Sequence, residues 1–201
     1  MDILILLTLL ALGAHVLKTK EQNRRIALLA RHLGQHQIEK LMESLTEGYL
    51  RALGSDDPAR REQIWALLAS AEAQLCEQFR RLAADFGRVQ AADARVSRLP
   101  IAIPFAARLL PAASFDMRRA LALHAQALER AASNPQGLSL QKKAYTLSAE
   151  LFLMQHSCHW FCRSHTVASA RLLARHKVTY AQVLDAVAPQ TRQAYGELTG
   201  R

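Results

Sequence analysis

The chain has 201 residues, a formal net charge of +9 and an isoelectric point near 10, and half of its residues are hydrophobic. Abundant Ala and Leu with few Gly, Pro and β-branched residues favour helix over strand, and the length leaves room for one membrane anchor and one ordinary domain. Three cysteines, an odd number, exclude a simple disulfide framework and fit a reducing compartment.

The N-terminal apolar run, residues 3–17, predicts a membrane anchor. It carries no formally charged side chain. As a helix at about 1.5 Å per residue it spans about 22 Å, against about 30 Å for the hydrocarbon core of a bilayer, and flanking lysines that reach back to the interface compensate for the difference. The predicted anchor residues are Ile3, Leu4, Ile5, Leu6, Leu7, Leu9, Leu10, Leu12, Val16 and Leu17.

An uncleaved anchor has two alternatives, a cleaved signal peptide and a buried or interfacial helix. The signal peptide fits less well, because Asp2 is the only charged side chain before the run and Leu12 occupies a position where a cleavage site needs a small residue. Basic residues follow the run directly: Lys18, Lys20, Arg24 and Arg25. The positive-inside rule then places the N-terminus outside and the C-terminal domain in the cytoplasm, with the chain crossing a bacterial-type inner membrane once.

A helical stalk is predicted to continue the anchor. Apolar residues recur at three- to five-residue steps from residue 26 to residue 53, and Gly54 marks the expected end of the helix. One long helix is the main interpretation, and two helices with a break near Gly34 are the alternative, since glycine weakens a helix interior. The predicted organisation is an anchor over residues 1–19, a stalk over residues 20–54 and a cytoplasmic bundle over residues 55–201.

The bundle opens with the clearest helix in the chain, about residues 58–87, which begins at the capping pair Asp57 and Pro58. Its predicted apolar face comprises Ile64, Leu67, Leu68, Ala71, Leu75, Phe79, Leu82 and Phe86. A connection with three prolines follows over residues 97–114. It is expected to be irregular, because no partner strand for its apolar residues is evident.

Later helices are expected over about residues 116–132, over residues 140–177 without a break, and over two short segments that begin at Thr179 and Pro189. The sequence therefore predicts an all-α fold, a helical bundle of five to six helices on an N-terminal membrane-anchor helix.

Residues 154–165, MQHSCHWFCRSH, concentrate two cysteines, three histidines and a tryptophan. On one continuous helix these side chains point to three sides, and only Cys158, Cys162 and His165 share a stripe, which makes them the candidate metal ligands. A zinc ion needs four ligands, so others would come from another helix, where the soft candidates are Cys76, His124 and His176.

Core packing is the favoured interpretation of the two cysteines, because they lie among leucines and a free cysteine packs as a small hydrophobic side chain. Metal or haem binding and thiol redox chemistry are the alternatives, and no cofactor is expected. The C-x-x-x-C spacing excludes the c-type haem motif and the thioredoxin motif, both of which need C-x-x-C.

Residues 151–184 contain no Asp or Glu. Their basic residues form a candidate interaction face for anionic lipid or an acidic partner: Arg163, Arg171, Arg175 and Lys177. A solvated face is the alternative, and nucleic acid is disfavoured because no aromatic platform accompanies these residues.

No catalytic motif is present: there is no Gly-rich phosphate loop, no G-x-S-x-G and no H-E-x-x-H. The predicted function is that of a membrane-anchored, non-enzymatic scaffold or accessory subunit. It would bind the lipid bilayer through its N-terminal helix, and a partner protein or another copy of itself at the cytoplasmic membrane face. The alternatives are a metal- or haem-binding protein using Cys158 and Cys162, and a membrane-associated enzyme.

Overall fold

The computed structural model describes residues 2–200. It confirms the predicted all-α class, with 77% of the chain helical. The part of the chain that the structure describes forms nine helices: α1 (Asp2–Leu33), α2 (Ile38–Leu53), α3 (Pro58–Phe86), α4 (Ala106–Leu109), α5 (Met117–Ser133), α6 (Leu140–Cys162), α7 (His165–His176), α8 (Tyr180–Ala186) and α9 (Pro189–Thr199).

The core lies where α3, α5 and α6 pack together, with α2 covering α3 and the second half of α1 lying against α6 and α3. Its largest fully buried side chains include Phe79, Phe86, Phe161 and Trp160. A smaller apolar cluster around Tyr195 attaches α8 and α9 to the other side of α6. The face predicted for α3 is buried at most positions, but Leu67 is 74% exposed and does not belong to it.

The chain turns at Gly34, so the two-helix alternative is correct and one long helix is wrong. Gly34 donates its N–H to Ala30 O at 2.8 Å, and the N–H of Gln37 bonds the side chain of Gln78 on α3 at 2.6 Å. The turn lets α2 fold back onto α3 and bury Ile38, which a straight helix would leave exposed.

The proline-containing connection is closed at both ends by a short antiparallel strand pair, β1 (Arg95–Ser97) with β2 (Ser114–Asp116), in which Val96 lies opposite Phe115. Ile101 and Ile103 lie outside both strands, so the expectation of an irregular connection holds for them, but the strand pair at its ends was not predicted. The partner strand lies about twenty residues further along the chain, and three residues are too few to show an alternating pattern. Between the strands lie α4 and a 3₁₀ turn over Pro111–Ala113.

The predicted single helix over residues 140–177 is also wrong, because it breaks between α6 and α7. Ser164 has an extended backbone and accepts the N–H of Val167 at 3.3 Å as the N-cap of α7. Thr166 donates both its backbone N–H and its hydroxyl to Pro100 O, at 3.1 and 2.8 Å. A serine side chain can accept a free backbone N–H at the first turn of a helix. A new helix can therefore begin at a serine without Gly or Pro before it.

Candidate functional site

The predicted anchor is the first half of α1, and all ten predicted anchor side chains, from Ile3 to Leu17, are exposed. Among the described residues α1 is the one helix long and apolar enough to cross a membrane, and its most apolar window has no part buried in the bundle. Packing begins at Lys18, the first half-buried side chain. The change from exposed to packed therefore coincides with the change from apolar to charged sequence.

Of the four basic residues behind the anchor, two are held in ion pairs. Arg24 pairs with Asp93 at 2.8 Å, and Arg25 pairs with Glu21 at 2.7 Å. Arg25 also donates to Phe161 O at 3.3 Å and lies 5.7 Å from the centre of the Phe161 ring. Burial lowers the pKa of Arg25, an effect that Glu21 partly offsets. The flank therefore fixes the anchor helix to the bundle.

The structure does not bring the three predicted metal ligands together. Cys158 and Cys162 pack against the main core from one side of α6. His165 is the first residue of α7, and the centre of its ring lies 4.7 Å from the centre of the Trp160 ring. Trp160 is two residues from each cysteine along α6, about 200° around the helix axis. His165 therefore lies on the side of α6 away from the cysteines. Over the described residues, no group of three or more His, Cys, Asp or Glu side chains could hold a metal ion.

The three thiols are free and partly buried. Burial raises the pKa of Cys158 and of Cys162, the latter to about 11, and raises that of Cys76 to about 11 with a further contribution from Glu72. A protonated thiol is a weak nucleophile and a poor metal ligand. The raised pKa values fit cysteines that pack as small apolar side chains.

The histidines of residues 154–165 have different surroundings from the cysteines. His156 is buried, stacks on Tyr180 with ring centres 4.5 Å apart, and bonds Ser169 Oγ at 3.1 Å. His165 packs edge-on against Tyr180, with ring centres 4.9 Å apart. This aromatic cluster joins α6, α7 and α8, and it explains why the two histidines are not at the surface.

A serine and a histidine do meet in the interior. Ser157 Oγ lies 2.8 Å from His124 Nε2 and 2.9 Å from the hydroxyl of Tyr195. Both residues are fully buried, and burial lowers the pKa of His124 to about 3. A nucleophilic serine needs substrate access and a base that can take up its proton near neutral pH. The group therefore acts as a structural link between α5, α6 and α9.

The four residues of the predicted basic face have different surroundings. Arg163 is half-buried and donates to Gln22 Oε1 of α1 at 2.5 Å. Arg171 donates to His159 Nδ1 at 3.2 Å, and burial together with Arg171 lowers the pKa of His159 to about 4. Arg175 and Lys177 are exposed at the end of α7.

Arg175 belongs to a groove between α2 and the α6–α8 side of the bundle. Its apolar half has a volume of about 490 Å³ and includes Leu50, Tyr145 and Phe152. Its polar half, about 500 Å³, places Arg175 with Glu43 and Glu47 and shares Phe152 with the first half. Leu50 is 73% and Tyr145 60% exposed, so large apolar groups face solvent here without a covering element.

Sequence reasoning missed the groove and the buried carboxylates Glu72 and Glu150. The apolar pattern of α2 included Tyr49 and Leu53, which are close to Leu50 in the helix. Such a pattern assigns a residue to one face of a helix, but it cannot show that α2 and the helices opposite it leave a groove between them. The signal for the carboxylates was an acidic residue inside an apolar run, as Glu150 is between Ala149 and Leu151.

Comparison of the chain with protein-family models, with curated proteins and with solved structures gives no match.

Proposed function

We propose that the chain is a single-pass membrane protein of the bacterial inner-membrane type, whose helical domain lies in the cytoplasm and holds a partner protein at the membrane face. It acts as a scaffold or accessory subunit without catalysis of its own. The observation that carries the proposal is the uncovered apolar first half of α1 on a domain whose core packs around α3, α5 and α6.

The orientation is supported by the residues behind the anchor. Lys18, Lys20, Arg24 and Arg25 follow the apolar run, against one Glu21. Basic residues in this position stay in the cytoplasm. Three free cysteines in one chain are also more compatible with the reducing cytoplasm than with an oxidising compartment.

The partner is supported by the groove. Its apolar half resembles the surfaces on which an amphipathic helix of another protein lays its apolar face, with charged groups at one end to set direction. Glu43 lies in that end, and Glu47 and Arg175 line both halves where they meet. A partner helix with an apolar stripe and charged residues of both signs beyond it fits this arrangement.

The topology is tested by fusing a reporter to Arg201 and sequencing the mature N-terminus. A reporter active only in the cytoplasm, on a chain that is not cleaved after the apolar run, is the expected result. Periplasmic activity, or a mature chain that begins beyond residue 14, would contradict it.

Partner binding is tested with a photo-crosslinking residue in place of Leu50, or of Leu67 as the matched control. The two leucines are equally exposed, at 73% and 74%, but only Leu50 lines the groove. We expect one adduct of defined mass from position 50 in cells, absent from position 67. A second expected result is its loss when Tyr145→Glu places a charge in the groove. Equal adducts from both positions, or adducts insensitive to Tyr145→Glu, would refute the groove as the binding site.

A further inference from the structure

Exposed apolar side chains are concentrated in one segment of the proline-containing connection. Outside the anchor, eleven large hydrophobic side chains of the described residues are exposed, and five of them lie within residues 101–110: Ile101, Ile103, Phe105, Leu109 and Leu110. Scattered exposed apolar residues are normal, but five within ten residues are a local concentration of the kind found at interaction surfaces. We call residues 101–110 the interfacial segment.

The interfacial segment lies where the anchor leaves its apolar stretch. The N–H of Phe105 bonds Glu21 Oε2 at 2.7 Å, and Phe105 and Arg108 line a hollow together with Leu17. Glu21 is four residues beyond Leu17, about 6 Å along the helix, and the headgroup layer of a bilayer is about 5–7 Å thick on each side. The segment is therefore at headgroup depth if Leu17 is at the edge of the hydrocarbon.

The segment is held at this level by contacts at both ends. The β1–β2 pair closes it, Trp160 Nε1 donates to Ser97 O at 2.9 Å, and Pro100 O accepts two bonds from Thr166. Against α1 it leaves a gap of only about 20 Å³, which Ile101 and Ile103 share with Lys18. Its apolar side chains are thus presented by a fixed backbone.

One charged pair at this depth, Glu21 with Arg25, is already neutralised. The Glu21 and Arg25 side chains are only 17% and 16% exposed in their ion pair, and Glu21 accepts the Phe105 N–H as well. Because residues 3–17 are about 8 Å shorter than the hydrocarbon core, the bilayer must thin or the next turn of α1 must approach the hydrocarbon. The interfacial segment supplies apolar surface beside that turn.

The charge around the segment favours anionic lipid. The side chains that line the two hollows between α1 and the connection include two carboxylates, Glu21 and Asp93, and six basic groups: Lys18, Lys20, Arg24, Arg25, Arg108 and Arg163. Each basic group near an anionic leaflet contributes on the order of 1 kcal/mol of attraction at low salt, so a net charge of +4 adds to apolar burial.

We propose that the interfacial segment inserts its apolar side chains into the cytoplasmic leaflet, with Lys18, Lys20, Arg24 and Arg108 facing anionic phospholipid headgroups. The proposal rests on the anchored topology proposed above and adds a second membrane contact. Two contacts fix the tilt of the domain, because a single spanning helix can tilt in the bilayer and carry the attached domain with it.

The test compares Leu109→Trp with the matched control Leu50→Trp in the full chain. The two leucines are 72% and 73% exposed, one on the interfacial segment and one in the groove. Each variant is reconstituted into vesicles of phosphatidylglycerol and phosphatidylcholine brominated near the headgroup, and the fluorescence of the native Trp65 and Trp160 is subtracted with the unsubstituted chain. We expect at least threefold stronger quenching at position 109 than at position 50, and weaker quenching at 109 in phosphatidylcholine alone.

Equal quenching at the two positions, in a chain that resists an alkaline wash of the vesicles, overturns the interfacial segment and leaves the anchored topology standing. A chain that the wash removes overturns both. Quenching at position 109 that is the same with and without phosphatidylglycerol overturns the role of the anionic headgroups. Ile103→Trp replaces Leu109→Trp if the circular dichroism spectrum shows that the first variant is not folded.

Discussion

Glu72 occupies the interior of the bundle, where its carboxylate is shared by two side chains from other helices. The hydroxyl of Tyr49 on α2 donates to Oε1 at 2.6 Å, and Lys143 Nζ on α6 donates to Oε2 at 2.5 Å. Burial and the adjacent Glu72 raise the pKa of Tyr49, so the phenol keeps its proton and remains a donor. One buried carboxylate thus connects three helices.

Glu72→Ala is expected to lower the free energy of unfolding by about 3 kcal/mol, because it leaves Lys143 buried without its partner charge. The measurement is urea unfolding of the detergent-solubilised chain, followed by circular dichroism. Glu77→Ala on the same helix is the control. Its ion pairs with Arg80 and Arg81 are exposed, so the free energy of unfolding should hardly change. Similar losses in both variants would contradict the connecting role of Glu72.

Glu150 gives stability a pH dependence. Its side chain is fully buried, and Oε1 accepts the N–H of Ala188 at 3.0 Å. Burial raises the pKa of Glu150 to about 7, while Thr191, the Ala188 N–H and Arg130 act in the opposite direction. Because the folded state holds this proton more tightly than the unfolded state, the contribution of Glu150 to stability falls as pH rises from about 4.5 to about 7.

Glu150→Gln is expected to match the wild type at pH 4 and to exceed it at pH 8, by on the order of 3 kcal/mol in the free energy of unfolding. Glutamine keeps the acceptor for Ala188 and carries no charge to desolvate. Unfolding curves at the two pH values measure the difference between variant and wild type, so other titrating groups cancel. A difference that does not grow with pH would show that folding does not raise the pKa of Glu150.

At the scale of the element, the helix ends divide into two kinds. Asp57 accepts the N–H groups of Ala59 and Arg60, and Thr179 forms a capping box with Gln182. These starts were predictable because cap and helix lie within three residues of one another. The end of α6 was not, since it depends on Thr166 bonding Pro100 O, 66 residues away in the chain.

Replacing Ser164 tests that break directly. At an N-cap, Ser→Ala costs about 1 kcal/mol and Ser→Gly only a few tenths, whereas inside a helix glycine is about 1 kcal/mol worse than alanine. Ser164→Gly is therefore expected to be more stable than Ser164→Ala, as measured by urea unfolding. The reverse order would indicate that residues 140–177 form one helix after all.

The candidate sites also divide into those that depend on neighbouring residues, which the sequence predicts, and those that depend on distant contacts, which it does not. The apolar first half of α1 is a property of fifteen consecutive residues and is visible in the sequence. The stripe of Cys158, Cys162 and His165 assumed a continuous helix, and once the helix breaks, His165 faces Tyr180 and Trp160. The groove and the interfacial segment arise from how separate helices pack, which local periodicity does not contain.

At the scale of the whole molecule, the anchor and the domain are structurally separate although they share α1. Side chains of residues 3–17 are exposed, and the contacts of α1 with the bundle begin at Lys18 and include the ion pairs of Arg24 and Arg25. The two halves of one helix therefore have different surroundings: the first half is uncovered by protein, and the second half packs against the bundle. We therefore expect the stability of the domain to depend on the second half of α1 and not on the first.

Removing residues 2–17 is expected to release the domain from the membrane without unfolding it. The melting temperature should change by only a few degrees, because a shift of about 4 °C corresponds to roughly 1 kcal/mol in a domain of this size and no core contact is lost. Ultracentrifugation and circular dichroism measure release and folding. The control removes residues 2–27 and so deletes Arg24 and Arg25, which should lower the melting temperature further. If the chain without residues 2–17 aggregates, or melts at the same temperature as the control, residues 3–17 belong to the folded core.

The domain that lacks residues 2–17 also tests the interfacial segment. At low salt it should still sediment with anionic vesicles, through the interfacial segment, and high salt should abolish this binding.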